Sequence, residues 1–357
     1  MSHLTFQEFM ERALYDPARG YYATRKNPVG TDGDYVTAPQ ISPVFGYALA
    51  LLGKEFLARC GDEVCSIVDI GCGDGLLLAQ IADGMDELGV KGVRLAGVDR
   101  SIERTETVAA SRPEITFSTS LSSISGRAPT LVFCNELFDA FPVARVVRRG
   151  SELQELCVSD TDSSWVEKAP AADLLDYFKA RRIELQEGQF ADISLEWERM
   201  YRLIASTVGR GMIVTFDYGF EQGQLFNPGI RRFGTVAAYA EHKVSRNILD
   251  RPGEQDLTAH VNFSDLIGAG EAESFTTLAF TRQARFLLSL GVAAHALFTP
   301  SHSVESKGLA DTLRIFEQRQ AAQRLILPDG IGDEMRVLVQ VKNMGGEEWS
   351  FERQLLS

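Results

Sequence analysis

The chain has 357 residues, too many for one minimal core and enough for a main domain with an insertion or a small second lobe. Hydrophobic residues make up 45% and charged residues 24%, the balance of a globular protein with a sizeable core. The net charge of −13, from 36 basic against 49 acidic residues, argues against a polyanionic partner such as nucleic acid, and no Lys/Arg stripe interleaves with aromatics.

Thr5-Phe6-Gln7-Glu8 has the form of a capping box and predicts a helix to about Leu14, ended by Tyr15-Asp16-Pro17. Residues 20–43 are rich in Gly, Pro, Thr and Asp and read as a long irregular segment. Helical spacing returns from Val44 to Arg59. The core begins at Cys65, with a buried strand at Ile67-Val68-Asp69-Ile70 and then Gly71-Cys72-Gly73-Asp74-Gly75. A helix follows through Leu77, Leu78, Ile81, Met85 and Leu88, then a strand from Val93 to Val98 ended by Asp99. A helix at 102–110 and strands at 115–117 and 130–134 complete the first half. Strands alternating with helices argue for a parallel sheet covered on both faces.

Val143–Arg149 and Leu153–Ser159 predict a β-rich excursion, and 170–207 reads as mainly helical. Trp165 and Trp197 in this part are expected in the core. Met212–Tyr218 is the next core strand. Residues 219–262 show little periodicity and read as a long loop or lid. A helix near 264–267, a strand near 275–280, helices within 282–325 and a final strand at 335–341 follow. The expected organisation is an N-terminal extension (1–60), a core (61–142 and 209–357), an inserted β/helical lobe (143–208) and a lid within the core (219–262).

Five cysteines, an odd number without Cys/His metal spacing, read as free thiols in a reducing compartment. No secretion signal and no apolar run long enough to span a bilayer is present, so the expected address is the cytoplasm.

The strongest local signal is apolar-apolar-acid-apolar followed by GxGxG, from Ile67 to Gly75. Such a turn at the carboxyl end of a strand lets a ligand lie on the backbone, and the next helix offers N–H groups to an anion. A dinucleotide fingerprint reads GxGxxG, but here Leu76 stands where its third glycine belongs. The pattern resembles motif I of class I methyltransferases. That resemblance implies S-adenosylmethionine as cofactor, with Asp69 near its amino acid end and Asp99 on the ribose hydroxyls.

Two further segments resemble the MidA family of these enzymes. One is Gly33-Asp34-Tyr35-Val36-Thr37-Ala38-Pro39-Gln40-Ile41-Ser42-Pro43-Val44-Phe45-Gly46. The other is Asn135-Glu136-Leu137-Phe138-Asp139-Ala140-Phe141-Pro142-Val143. A third match is Asp217-Tyr218-Gly219 followed by Pro252 to Phe263. The resemblance implies a Rossmann-like α/β core with an N-terminal helical extension and inserted substrate-binding elements. It also implies methylation of protein arginine, with a respiratory complex I subunit as the acceptor of the mitochondrial members. A homodimer is compatible with it. The chain departs from the family at Gln40, where a Glu is usual, and at Cys72, where Pro or Ala is common.

The cofactor is accordingly expected on Asp69, Gly71, Cys72, Gly73, Gly75, Asp99 and Asn135. Residues 33–43, with Gly33, Asp34 and Thr37, are expected to fold over it. Carboxylates suit a guanidinium, which they fix through parallel hydrogen bonds, and Glu136 and Asp139 stand three apart past the fourth core strand. Asp139 has a second reading as a helix cap. His260 is a candidate base, against its reading as a structural histidine. Two other functions stand beside the transferase: a non-catalytic assembly factor that binds the cofactor, and a nicotinamide-dependent oxidoreductase.

Overall fold

A computed structural model describes residues 3–24, 34, 36–124, 126, 128–159, 161, 163–241, 243–298, 309–328 and 330–356. Its strands in chain order are β1 (His3–Thr5), β2 (Ser66–Ile70), β3 (Arg94–Val98), β4 (Ile115–Ser118), β5 (Thr130–Asn135) and β6 (Ala144–Arg149). Then come β7 (Glu152–Ser159), β8 (Trp165–Lys168), β9 (Phe190–Ile193), β10 (Gly211–Phe220) and β11 (Ala237–Ala240). The last are β12 (Lys243–Ser245), β13 (Asp256–Thr258), β14 (Val261–Asn262), β15 (Thr276–Arg282) and β16 (Met335–Lys342).

The chain divides into two compact units. The core unit holds Thr37–Leu137, Arg202–Asp217 and Gly270–Ser357, and the second unit holds Met1–Val36, Phe138–Tyr201 and Tyr218–Ala269. The N-terminal extension up to Val36, most of the insertion and the expected lid thus fall in one unit.

In the core unit the strand order is β15-β16-β10-β5-β2-β3-β4. The run from β10 to β4 is parallel, and β15 pairs antiparallel with β16. From β2 the chain winds one way to β3 and β4, and from β5 the other way to β10. Between β2 and β5 the strand order therefore reverses, which is where open α/β sheets bind ligands. Ile70 pairs with Cys134, and Phe216 pairs with Asn135. Alternation along the strands puts Ile67, Asp69, Phe133, Asn135 and Phe216 on one face. Helices cover that face. A Cβ on Gly53, in the helix Val44–Cys60, would stand 3.0 Å from Ile67 Cδ1. The rings of Phe45 and Phe286 lie edge-on to Phe216 at 5.2 and 5.9 Å. The helix Leu76–Glu87 packs so closely on Val44–Cys60 that a Cβ on Gly84 would approach Ala50 Cβ to 2.7 Å.

The second unit carries the antiparallel sheet β1-β7-β6-β9, with β8 on β7, and a smaller sheet β12-β11-β13. Strands β6 and β9 pack against the helix Ala172–Arg181 through Val146, Ile193, Leu174 and Phe178. Trp197 is fully buried and its Nε1 donates to Phe138 O at 2.7 Å.

Several expectations are corrected here. The stretch 170–207 contains strand β9, hidden in the sequence because its inward-facing Asp192 breaks the apolar pattern; that carboxylate accepts from Arg145 at 2.8 Å. Residues 219–262 are not one loop: they hold β11 to β14 and a short helix, Gln222–Leu225. Those strands have two to four residues, too short for alternation to register. Trp165 is 40% exposed rather than part of the core. The chain after Asp139 turns directly into β6, so Asp139 caps no helix.

Candidate cofactor site

Strand β2 is buried, and its chain reverses at once into the glycine loop. Gly71, Gly73 and Gly75 take φ of +77°, +55° and +82°, which side chains other than glycine rarely adopt. Two of these positions are also closed by neighbours. A Cβ on Gly71 would stand 2.9 Å from Leu137 Cδ1, and one on Gly75 would stand 2.9 Å from the Phe117 ring. The amides of Gly71 and Cys72 donate to Val98 O at 2.8 and 3.3 Å, which ties the loop to the end of β3.

Asp99 closes β3 and braces the same loop. Its Oδ2 accepts from Gly73 N at 3.0 Å and its Oδ1 from Ser101 N at 3.1 Å. Each carboxylate oxygen keeps a second lone pair, so the group can still accept a ribose hydroxyl. Cys72 lies over Gly97 and is buried, and burial, then Asp69 and Asp99, push its thiol up, so it is no nucleophile.

Asp69 is 2% exposed, and its Oδ1 has no hydrogen-bond partner. Burial, and after it the charges of Asp99 and Asp74, hold this carboxyl well above the usual carboxylate range. That favours the neutral acid, which offers an O–H donor. At the end of β5, Asn135 donates through Nδ2 to Glu136 Oε1 at 3.3 Å, and its own Oδ1 is buried without a partner. Glu136 takes φ +51°, with its N–H held by Phe216 O at 2.8 Å. A non-glycine residue in this region costs about 1–3 kcal/mol, and such strain collects at functional edges. Asp217, in β10, is fully buried.

The short helix Ala38–Ile41 follows Thr37 and was not expected. Gln80 Nε2 donates to Pro39 O at 2.7 Å, so this segment is tied to the helix that follows the glycine loop. Gln80 carried no signal beyond a polar position inside an apolar helix. Gly33 lies outside the described residues. Asp34 belongs to the second unit and is 2% exposed, accepting from Tyr21 Oη and from Glu241 N, each at 2.8 Å.

Asp139 also belongs to the second unit. Burial pushes its carboxyl up to about 7, against the opposing N–H of Ala140 and its own N–H. Asp256 is pushed up to about 7 by burial and then by the charge of Asp139, while Tyr22 Oη donates to its Oδ1 at 3.0 Å. Ala259 N donates to Asp139 O at 2.9 Å and holds the two segments together. The sequence reading missed Asp256 and Tyr22, because only tertiary folding brings residues 22, 139 and 256 together. Both carboxyls bind their proton more tightly folded than unfolded. Stability is then fullest below about pH 4 and is lost as pH rises through about 7. The melting temperature is expected to fall between about pH 5 and pH 8, and Asp256→Asn should flatten that fall. An equal slope in wild type and variant, followed by circular dichroism, would contradict the assignment. His260 is half-buried; its N–H reaches Thr235 Oγ1 at 3.1 Å and its ring lies 5.6 Å from Phe220.

The left-handed glycine loop, the carboxylate closing β3 and the partnerless Asp69 and Asn135 oxygens fit S-adenosylmethionine at the reversal between β2 and β5. Fold and edge together define a Rossmann-like class I methyltransferase. The family described as "Putative S-adenosyl-L-methionine-dependent methyltransferase" matches residues 51–281, and the chain belongs to that family. This agrees with the MidA resemblance, and the chain is an S-adenosylmethionine-dependent methyltransferase. It is 25% identical to the mitochondrial protein arginine methyltransferase NDUFAF7 of Rattus norvegicus, over 81% of this chain and 71% of that protein. With the human protein of the same name it shares 24% identity, over 81% and 70%. A Burkholderia thailandensis crystal structure bound to S-adenosyl-homocysteine superposes with a TM-score of 0.85 at 28% identity, covering 98% of this chain and 91% of that one. No described helix is long and apolar enough to cross a membrane.

Proposed function

We propose that the chain methylates an arginine side chain of a protein acceptor. The observation that carries this reading is Glu136, held at φ +51° on the carboxyl end of β5, one residue beyond Asn135, whose buried Oδ1 has no hydrogen-bond partner. The names of the rat and human relatives support it. On this reading Asp69, Gly71, Cys72, Gly73, Gly75, Asp99, Thr37 and Asn135 hold the cofactor, and Gly33 and Asp34 remain further candidates for binding it. When bound, the cofactor supplies an electrophilic methyl group on a sulfonium. Glu136 fixes the guanidinium by paired hydrogen bonds and takes up the proton its nitrogen loses. Asp139 and His260 are assigned to the same acceptor, with smaller effects.

A respiratory complex I subunit is the acceptor that the family resemblance implies, and a homodimer is compatible with that resemblance. The compartment is a reducing one, the cytoplasm, in keeping with five free cysteines. The test is incubation with tritiated-methyl S-adenosylmethionine and a lysate of cells lacking this chain. After acid hydrolysis the label is expected in methylarginine. Label in methyl-lysine, or none in protein, contradicts the reading.

A further inference from the structure

Ile230 and Phe233, on the turn between the helix Gln222–Leu225 and β11, are the two most exposed large apolar side chains among the described residues, at 70% and 69%. Hydrogen bonds fix the turn that carries them. Asn227 O accepts from Ile230 N at 3.2 Å and from Arg231 N at 2.8 Å. Arg231 lies over the Phe220 ring at 3.6 Å and donates to Gln224 O at 2.9 Å. Arg145 Nη2 donates to Phe233 O at 2.7 Å, and Phe190 N donates to Arg232 O at 2.8 Å. None of these bonds uses the side chain of Ile230 or Phe233, so the turn would stand with polar residues there. A turn fixed in this way loses little freedom when it binds. The exposed side chains also join a wider patch. Phe233 lies 6.4 Å from Phe190, and the Arg145 guanidinium lies 5.0 Å from Phe190 and 6.0 Å from the exposed Trp165. Contiguous aromatic surface with arginine is the composition of a protein contact, unlike apolar residues scattered singly.

The rim of the patch selects the partner, because it carries both signs. Arg149 pairs with Glu167 at 2.6 Å, and both are exposed. Arg232 and Arg149 flank Gly188, where a Cβ would stand 3.5 Å from Arg232 Nη2 and 4.0 Å from Arg149 Nη1. Glu187 is exposed beside them, and its Oε2 accepts from Gly150 N at 2.6 Å. Two guanidiniums set among two carboxylates favour neither an anionic nor a cationic surface. They suit a surface that also carries both signs, and a two-fold axis supplies one: each guanidinium can then meet a carboxylate of the other copy. Phe233 shares its turn with Ile230 and lies against Phe190, which gives it the centre of such a contact. We propose that this patch binds a second copy of this chain, with Phe233 facing its own counterpart across the two-fold axis. Pairing of this kind is independent of which residue the chain methylates.

Sedimentation equilibrium of the full chain tests the pairing. Wild type is expected to dimerise with a dissociation constant on the order of 10 μM. Phe233→Glu and Phe233→Lys should each weaken the dimer at least about hundredfold, since like charges then meet at the axis. Mixed in equal amounts, the two variants should associate again, Glu against Lys. At concentrations where wild type is monomeric, circular dichroism should give all three the same melting temperature, since the fold does not use this ring. Should a charged variant fail to fold, Ile230→Ser gives the reading: association should weaken about tenfold, and unchanged association overturns the proposal. Wild type that stays monomeric at about 100 μM overturns it as well. If that monomer sediments with phosphatidylglycerol vesicles, the patch is a membrane contact instead. A dimer unmoved by Phe233→Glu places the interface elsewhere and overturns the proposal. Charged variants that stay monomeric when mixed overturn the two-fold contact at Phe233.

Discussion

Gly71→Val is expected to abolish binding of S-adenosylmethionine while the protein stays folded. Gly71 sits at φ +77°, where a β-branched residue is strained. A Cβ there would also stand 2.9 Å from Leu137 Cδ1, and Leu137 follows Glu136 directly. The substitution therefore disturbs the turn after β2 and the turn after β5 together. A loss of about 10²-fold or more, equivalent to about 3 kcal/mol, is the expected size. Gly71→Ala carries the strain of the positive φ with less bulk and should lose less. Calorimetry with S-adenosylmethionine, beside circular dichroism for folding, reads both. Wild-type affinity in a folded Gly71→Val protein contradicts the placement of the cofactor.

Glu136→Gln should slow methyl transfer by about 10²-fold, as one lost positioning group does, and leave cofactor affinity within a small factor. The substitution keeps the shape and the Asn135 contact at 3.3 Å within reach while removing the charge. A guanidinium held by a neutral amide loses the charge-assisted pair and the proton acceptor together. Single-turnover transfer to the acceptor polypeptide, beside calorimetry, separates the two effects. Transfer at the wild-type rate contradicts the clamp. A collapse of cofactor binding instead assigns Glu136 to the cofactor.

The parallel core was legible because β2, β5 and β10 are buried on both faces and so read as unbroken apolar runs ending in glycine or acid. Asp69, Asp99 and the glycines were legible for the same reason: a local turn needs local residues. The second unit was not. Its β9 carries Asp192 inward, and β11 is Ala-Ala-Tyr-Ala, with little intrinsic preference for a strand. Asp34 accepts from Tyr21 and Glu241 within its own unit, and Glu241 stands too far along the chain for any spacing to link the two. The Asp139–Asp256 pair depends on residues more than a hundred apart in the chain, and no spacing rule reaches that far.

A crystal structure of this chain with S-adenosylhomocysteine tests most directly whether the reversal between β2 and β5 holds S-adenosylmethionine for methyl transfer. The ligand is expected along Gly71 to Gly75, with its ribose hydroxyls on the Asp99 carboxylate and polar groups meeting Asp69 Oδ1 or Asn135 Oδ1. Ligand bound away from that edge, or a ribose that leaves Asp99 bonded to Gly73 and Ser101 alone, would contradict it.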